Sequence, residues 1–265
     1  MQLVDPTLLG FQPLAIARDR FQFAFVRAVM LAAPGRLVVK GGMAIRAELD
    51  GVRMTEDVDF DRAAGISLEA TANAIRQGLK QACIVCGVHD AQIAESKKTT
   101  ATLRIKLHGT LPEGGVISFK AEASGRQPAF ADRYKTVVPI KLPPAYRLPP
   151  IALDVYPINV LLATKIAALM SPERNVPRDV YDIKRMLDVG ATPEGLNDLV
   201  SKEALALFAG EVWAKVDGIE YNAFRTELLP FIGQADAASI TNAVWASWCT
   251  DVAAAIEEIC HDASS

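Results

Sequence analysis

The sequence has little of what marks secreted, membrane-spanning or disulfide-stabilised proteins. Its 265 residues include only four cysteines, too few for a disulfide framework, so reduced thiols are expected. It contains no uncharged apolar run of about 18 residues, the minimum for a membrane-spanning helix. The N-terminal region lacks the cationic end and apolar core of a signal peptide. These absences predict a cytoplasmic protein with no membrane partner.

Neither sign of charge is in strong excess. The chain has 28 Lys and Arg against 31 Asp and Glu, for a formal net charge of -3 at pH 7. This balance excludes a uniformly basic shell but allows a local basic groove. Hydrophobic residues make up 51% of the chain, which is enough to bury a sizeable core.

One cysteine cluster has the beginning of a zinc-binding pattern. Cys83, Cys86 and His89 form a Cys-x-x-Cys-x-x-His run, but the remaining Cys and His residues supply no matching second half. The two cysteines lie one helical turn apart, after Ile75 and Leu79. We therefore expect them to be small buried residues on a core-facing helical stripe.

The N-terminal half of the chain mixes helical and strand patterns. Helices are predicted over residues 14–33, 43–49 and 67–86, the second ending near Gly51. Strands are predicted over residues 37–39, 57–61, 88–94, 100–107 and 116–123, with Gly41-Gly42 as a tight turn after the first. The pattern indicates an α+β fold, a small mixed sheet with helices packed on one side.

A proline-rich passage over residues 141–150 separates this pattern from a second one. Prolines at this density cannot continue a central strand or a helix, so the passage predicts a boundary between two domains, residues 1–148 and 149–265. The second domain is predicted to be helical, with Ala- and Leu-rich segments near residues 157–170, 178–188, 193–209 and 236–260.

Two chemical features lie close together in residues 40–61. Gly41 and Gly42 follow a strand and open a helix, which lets backbone N–H groups approach phosphate oxygens near a favourable helix N-terminus. Asp57 and Asp59 alternate along the next strand, so both carboxylates project from one face. Paired carboxylates predict ligands for Mg²⁺ or Mn²⁺, which bind them together with substrate phosphates.

A third carboxylate is expected from a neighbouring strand. In the segment 117–122, Phe119 and Ala121 are predicted to face the core, and Lys120 and Glu122 to face away. Glu122 is the candidate to complete a second metal site or to accept the proton of an attacking hydroxyl. Alternating aspartates alone could be the solvated face of a strand, and a glycine pair alone could be a plain turn. Only the two together indicate phosphoryl or nucleotidyl transfer.

The order of these motifs resembles the AbiEii/AbiGii nucleotidyltransferase toxins, a family of the polymerase-beta type that includes the MenT toxins. The resemblance rests on Gly41-Gly42, the Arg-x-Thr-x-Asp-x-Asp run of residues 53–59, the Lys-x-Glu of residues 120–122, Lys165, and the Arg-Asp-x-x-Asp of residues 178–182. It implies a polymerase-beta-like nucleotidyltransferase domain followed by an α-helical C-terminal domain.

The family's later motif implies roles for charged residues of the helical domain. Lys165 is expected to contact the triphosphate of the nucleotide as a compact cation. Asp179 or Asp182 is expected to orient a catalytic group, and Arg178 and Asp182 are spaced to pair across one helical turn. An ion-pair network without a catalytic role is the alternative reading of the same residues.

Further nucleotide contacts are implied near the glycine pair. Arg53 is expected to neutralise phosphate charge, and Thr55 to orient the nucleotide or to be modified itself. Lys40 is expected to be a solvent contact at the end of its strand. Many relatives have Ser or Thr directly after the glycines, where this chain has Met43, so backbone groups are expected to carry more of the phosphate binding.

The resemblance implies an enzyme that uses an NTP as substrate. A nucleotidyl group would pass to an acceptor hydroxyl, the 3′ end of a tRNA, with release of pyrophosphate. Blocked translation would follow, relieved by a cognate antitoxin protein. Two alternatives stay open: transfer to a small molecule or a protein hydroxyl, and a catalytically silent nucleotide-binding module that engages a partner.

Overall fold

The computed structural model describes residues 2–49 and 53–264. It divides into two compact units, Met1–Pro157 and Ile158–Ser265. The division falls beyond the predicted boundary at residues 148/149, because a strand that follows the proline-rich passage belongs to the sheet of the first unit. The predicted end of the second helix at Gly51 lies outside the described residues.

Within the described residues, the N-terminal unit contains a mixed seven-stranded sheet. Its strands are β1 (Leu37–Lys40), β2 (Asp57–Arg62), β3 (His89–Lys98), β4 (Thr102–Thr110), β5 (Val116–Ser124), β6 (Thr136–Ile140) and β7 (Ile151–Val155). They lie in the order β3-β4-β5-β2-β1-β7-β6. The pairs β2–β5 and β1–β7 are parallel and the others antiparallel, so the sheet is mixed as expected.

The helices of this unit are α1 (Pro13–Ala32), α2 (Gly41–Glu48), α3 (Leu68–Cys86) and α4 (Pro128–Tyr134). The start of α3 was predicted correctly, because the Ser67 hydroxyl accepts a hydrogen bond from the Ala70 amide and caps the helix. The expected turn at Gly41-Gly42 is absorbed into α2, which begins at Gly41 itself. Helix α4 and strands β6 and β7 were not predicted.

The inner face of the sheet packs against α1. Phe25 of α1 meets Phe60 of β2 and Phe119 of β5 in edge-on ring contacts at 6.0 and 5.0 Å. Helix α4 lies on the opposite face, where Phe130 packs on Tyr156 and the Tyr156 hydroxyl reaches Asp61. The expectation that all helices pack on one side of the sheet is therefore wrong for α4.

The cysteines of α3 lie where the helical stripe predicts. Cys83 and Cys86 are both buried, and burial raises the pKa of both thiols, that of Cys86 to about 11. His89 is exposed on β3. The prediction of buried core cysteines is confirmed.

The C-terminal unit is helical throughout its described part. Its helices are α5 (Ile158–Leu169), α6 (Pro177–Asp188), α7 (Leu196–Leu199), α8 (Lys202–Asp217), α9 (Tyr221–Glu227), α10 (Gln234–Ser239) and α11 (Asn242–Ser264). The segment predicted as one helix over 193–209 is divided, because Ser201 caps a new helix by accepting from the Ala204 amide. No described helix has the length and apolar character needed to cross a membrane.

A buried ion pair fixes α2, the helix that begins with the glycine pair. The Arg46 side chain of α2 is fully buried, and its Nη2 donates to Asp19 Oδ2 of α1 at 2.6 Å. The Tyr146 hydroxyl donates to the same carboxylate oxygen. Arg46 also lies over the Phe23 ring at 5.7 Å. Helices α1 and α2 and the turn at Tyr146 are thereby held together.

Replacing Asp19 by Asn should lower the free energy of unfolding by about 3–5 kcal/mol, because a buried guanidinium loses its counter-charge. Urea denaturation measures the change. The exposed Asp90, changed to Asn, is the control and should alter stability by less than about 0.5 kcal/mol. Equal stability of the two variants would contradict this account of how α2 is anchored.

Candidate active site

The site is organised around the approach of Asp59 to the glycine pair. Strand β1 pairs with β2 so that Lys40 lies opposite Asp59, and the chain therefore leaves β1 at Gly41 beside that carboxylate. A methyl group on Gly41 would lie 3.2 Å from Asp59 Oδ2. Gly41 also has φ +63°, in the left-handed region that favours glycine. Both features select glycine at this position.

Arg53 and Thr55 lie against the second glycine. A methyl group on Gly42 would lie 2.9 Å from Thr55 Oγ1 and 3.0 Å from Arg53 Nη2. Arg53 is buried, and its Nη1 donates to the Met54 carbonyl at 3.0 Å. The structure thus brings both predicted nucleotide-binding side chains to the glycine pair. Met43 is fully buried and presents no polar group there.

The three predicted carboxylates lie on one face of the sheet. Strands β2 and β5 pair in parallel, with Asp59 opposite Glu122 and Asp57 opposite Lys120. Residues opposite one another in a sheet share a face, and residues two apart on a strand do too. Asp57, Asp59 and Glu122 therefore project together, away from the face that packs against α1.

Cationic side chains form ion pairs with two of these carboxylates. Lys120 Nζ lies 2.6 Å from Asp57 Oδ2. Arg104 of β4 contacts Glu122 Oε2 through Nε at 2.8 Å and Nη2 at 2.7 Å. Neither cation was predicted to contact these carboxylates, although both lie at outward-facing positions of β4 and β5, which the strand alternation makes visible.

Lys40 makes a third ion pair rather than the predicted solvent contact. Its Nζ lies 2.6 Å from Asp61 Oδ1, and the Tyr156 hydroxyl donates to the other oxygen of that carboxylate at 3.0 Å. The prediction for Lys40 was wrong because Asp61 lies two residues beyond Asp59 on the same strand face, within reach of the lysine.

Asp59 differs from its neighbours in having no direct partner. Its carboxylate makes no ion pair or hydrogen bond with residues 2–49 or 53–264. Burial raises the pKa of Asp59, the charge of Lys40 opposes this shift, and the charges of Asp57 and Glu122 add to it. A carboxylate so placed carries its negative charge at an electrostatic cost, which a further cation would lower.

The donor chemistry of this face fits a hard divalent cation. Asp57, Asp59 and Glu122 offer only carboxylate oxygens, the ligands that Mg²⁺ and Mn²⁺ take. In the described part of the chain, however, no three acidic, Cys or His side chains already converge as a metal cluster. Asp57 and Glu122 are directed instead to Lys120 and Arg104.

A second charged cluster lies within the C-terminal unit. Lys165 of α5 is buried, with its Nζ 2.9 Å from Asp179 Oδ1 and 2.6 Å from Asp182 Oδ2 of α6. The expectation that the two aspartates share a helix face is confirmed. Arg174 also donates to Asp179. Arg178 is exposed and does not pair with Asp182, so the predicted i, i+4 ion pair is absent.

The charges of this cluster offset each other. Burial by itself raises the pKa of Asp179, but the charges and hydrogen bonds of Lys165 and Arg174 outweigh it and lower the pKa to about 2. Two of the three N–H donors of the Lys165 ammonium are directed at carboxylates. The geometry is that of an internal ion-pair network, and the contact of Lys165 with a triphosphate stays a prediction.

The sequence matches a known family over most of its length. Residues 26–258 match the family described as nucleotidyl transferase AbiEii toxin, type IV toxin–antitoxin system. The chain therefore belongs to the AbiEii nucleotidyltransferase toxins, a family of enzymes that use nucleotide substrates and are paired with antitoxins. Among curated proteins, none matches the sequence.

Solved structures share the fold. JHP933 from Helicobacter pylori superposes with a TM-score of 0.59 at 15% identity, over 95% of each chain. A second H. pylori protein, provisionally assigned as a nucleotidyltransferase, gives 0.62 at 16% identity over 95% of this chain and 98% of that one. MenT4, a nucleotidyltransferase toxin from Mycobacterium tuberculosis H37Rv, gives 0.52 at 16% identity over 97% and 99%.

Changing Asp59 to Asn should stabilise the metal-free protein at pH 7. A carboxyl group with a raised folded-state pKa binds more protons folded than unfolded, so its contribution to stability falls as pH rises above the ordinary value of 3.8. Asn does not ionise, so the variant does not lose this stability as pH rises. Urea denaturation in EDTA should show the stabilisation at pH 7 and a smaller difference near pH 4. No gain at pH 7 would contradict the electrostatics described here.

Changing Lys165 to Met should lower the free energy of unfolding by about 3–5 kcal/mol, because two buried carboxylates lose their shared cation. Denaturation monitored by tryptophan fluorescence measures this. The exposed Lys202, changed to Met, is the matched control and should shift stability by less than about 0.5 kcal/mol. A wild-type denaturation curve for the Lys165 variant would show that the network does not support the unit.

Proposed function

We propose that this protein transfers a nucleotidyl group from an NTP to an acceptor hydroxyl, with release of pyrophosphate, at the face that carries Asp57, Asp59 and Glu122. The observation that supports this most strongly is the Asp59 carboxylate lying directly against Gly41, with Asp57 and Glu122 beside it. The carboxylate oxygens that would bind a metal thus lie beside the backbone N–H groups that would donate to the phosphates, as in-line nucleotidyl displacement requires.

The nucleotide phosphates bind at the start of α2. Backbone N–H groups of Gly41 and Gly42 and the positive end of the helix dipole attract phosphate oxygens. Arg53, packed on Gly42, neutralises phosphate charge, and Thr55 orients the nucleotide. Because Met43 is buried, no hydroxyl contributes at that position and the backbone carries the binding.

Asp57, Asp59 and Glu122 are the residues that hold Mg²⁺ or Mn²⁺. The bound ion supplies charge neutralisation and Lewis acidity at the transferred phosphate. Glu122 has two possible uses, as a ligand of a second ion or as the base that accepts the proton of the acceptor hydroxyl. Arg104 holds Glu122 in a fixed orientation for either use.

We assign the residues of the second cluster to triphosphate binding. Asp179 and Asp182 fix the Lys165 ammonium in place, and its third N–H donor is the one available for a phosphate oxygen. Arg178, exposed at the first turn of α6, adds a surface cation. Asp182 acts by holding Lys165.

The acceptor is proposed to be the 3′ end of a tRNA, and the setting the cytoplasm, where NTP and tRNA are plentiful. Lys106 and His108 of β4 are exposed and lie on the same sheet face as Lys120, where they suit a phosphate backbone. Transfer would block translation, and the cognate antitoxin would relieve it. A small molecule or a protein hydroxyl is the alternative acceptor.

Asp59→Asn should reduce transfer by at least about 100-fold, because several kcal/mol of transition-state stabilisation are lost with the metal ligand. Purified protein incubated with each labelled NTP, Mg²⁺ and total tRNA gives the measurement, and circular dichroism checks the fold. Label in tRNA supports the proposed acceptor.

Other distributions of label would change the assignment. Label in protein or in small molecules would favour the alternative acceptors. Absence of label with every NTP and either metal would favour a catalytically silent module. Undiminished transfer by the Asp59 variant would overturn the assignment of this face as the active site, and Asp90→Asn is the control expected to keep full activity.

A further inference from the structure

We propose that Lys120 competes with the divalent ion for Asp57: its ammonium holds this carboxylate in the metal-free protein and leaves it when the ion binds. The inference rests on the function proposed above and extends it to a residue that sets metal affinity. Lys120 is a positioning residue in this sense, since it acts through a metal ligand.

The geometry places the lysine where an ion would be bound. Lys120 lies directly opposite Asp57 in the parallel pairing of β5 with β2, and its Nζ is 2.6 Å from Asp57 Oδ2. The contact therefore occupies one of the two Asp57 oxygens that a metal ion could bind. An ammonium at this distance and a divalent ion on the same carboxylate repel each other.

The ion pair is open enough to be exchanged. The Lys120 and Asp57 side chains are 34% and 28% exposed. Ion pairs this exposed are weak, and the lysine ammonium sits on a flexible four-carbon chain. A divalent cation that also binds Asp59 offers a stronger attraction for the same oxygen.

The neighbouring Arg104–Glu122 pair has a different character. Arg104 contacts one oxygen, Oε2, through two nitrogens at 2.8 and 2.7 Å, which leaves Oε1 outside the ion pair. A guanidinium held at two points is less easily displaced than an ammonium held at one. Each carboxylate has one oxygen outside its ion pair, so the difference lies in the cations: Arg104 stays on Glu122, and Lys120, held by a single contact, is the one that leaves.

The charge balance of the face also calls for an exchange. Three cations, Lys40, Lys120 and Arg104, are paired with Asp61, Asp57 and Glu122, and Asp59 adds one unpaired negative charge. A divalent ion would reverse the sign of this balance if all three cations stayed in contact. Displacing the most exchangeable one brings the sum of these charges to zero. This also accounts for why the acidic side chains do not converge on one point in the metal-free arrangement.

The test measures Mn²⁺ binding in the absence of nucleotide, by water-proton relaxation or by calorimetry. Lys120→Met should bind Mn²⁺ about fivefold more tightly than the wild-type protein, the factor that a competing exposed ion pair represents. Lys106→Met is the matched control: this exposed lysine shares the sheet face and has no carboxylate partner among the described residues. It should bind Mn²⁺ as the wild-type protein does.

Two further variants make the result decisive. Lys120→Arg keeps the charge and should bind Mn²⁺ no more tightly than wild type, and Lys120→Gln should repeat the gain if the Met variant folds poorly. Binding by Lys120→Met that is no tighter than wild type, or a gain equal to that of Lys106→Met, overturns the inference.

Asp59→Asn separates this inference from the proposed function. Its binding of Mn²⁺ should be lost if Asp59 is a ligand. Unchanged binding in that variant would overturn the metal site itself, whatever Lys120 does. Loss in Asp59→Asn together with no gain in Lys120→Met would leave the proposed function intact and overturn the role of Lys120 alone. Absence of Mn²⁺ binding in every variant overturns both.

Discussion

The close approach of the Asp59 carboxylate to Gly41 is the constraint on which the site depends. A Cβ at this position would crowd the Asp59 oxygen at 3.2 Å, and glycine is the residue that readily adopts the positive φ found there. Because α2 begins at Gly41, its first backbone N–H groups lie beside the sheet face that carries the carboxylates. The buried Arg46–Asp19 pair then fixes α2 in place, so a polar interaction of the core supports the geometry of the site.

The two charged clusters differ in how permanently their charges are paired. In the N-terminal unit, Asp57 and Glu122 meet half-exposed cations, and Asp59 has no direct partner, so an added cation would be stabilising there. In the C-terminal unit, Asp179 and Asp182 are fully buried with Lys165. Buried pairs are costly to break, so this cluster provides rigidity, whereas the first allows exchange.

Sequence patterns predicted the parts of the fold that local chemistry determines. The period-2 alternation of residues 57–61 and 117–122 and the Ser67 cap are visible in the sequence, and the register of β2 with β5 places the predicted carboxylates on one face of the sheet. The pairing of Arg104 with Glu122 depends on which strands become neighbours in the sheet, and the spacing of residues along the sequence does not determine that order. Strands β6 and β7 were missed because prolines mask their pattern, and they complete one edge of the sheet.

The proposed site binds an NTP with its phosphates on the glycine pair and its divalent ion on the adjacent carboxylates. A crystal structure with Mn²⁺ and a non-hydrolysable NTP analogue tests this most directly, because anomalous scattering locates manganese independently of the rest of the electron density. A manganese peak is expected within bonding distance of Asp57 and Asp59, with phosphate oxygens on the Gly41 and Gly42 amides. A nucleotide and ion bound away from this face would contradict it.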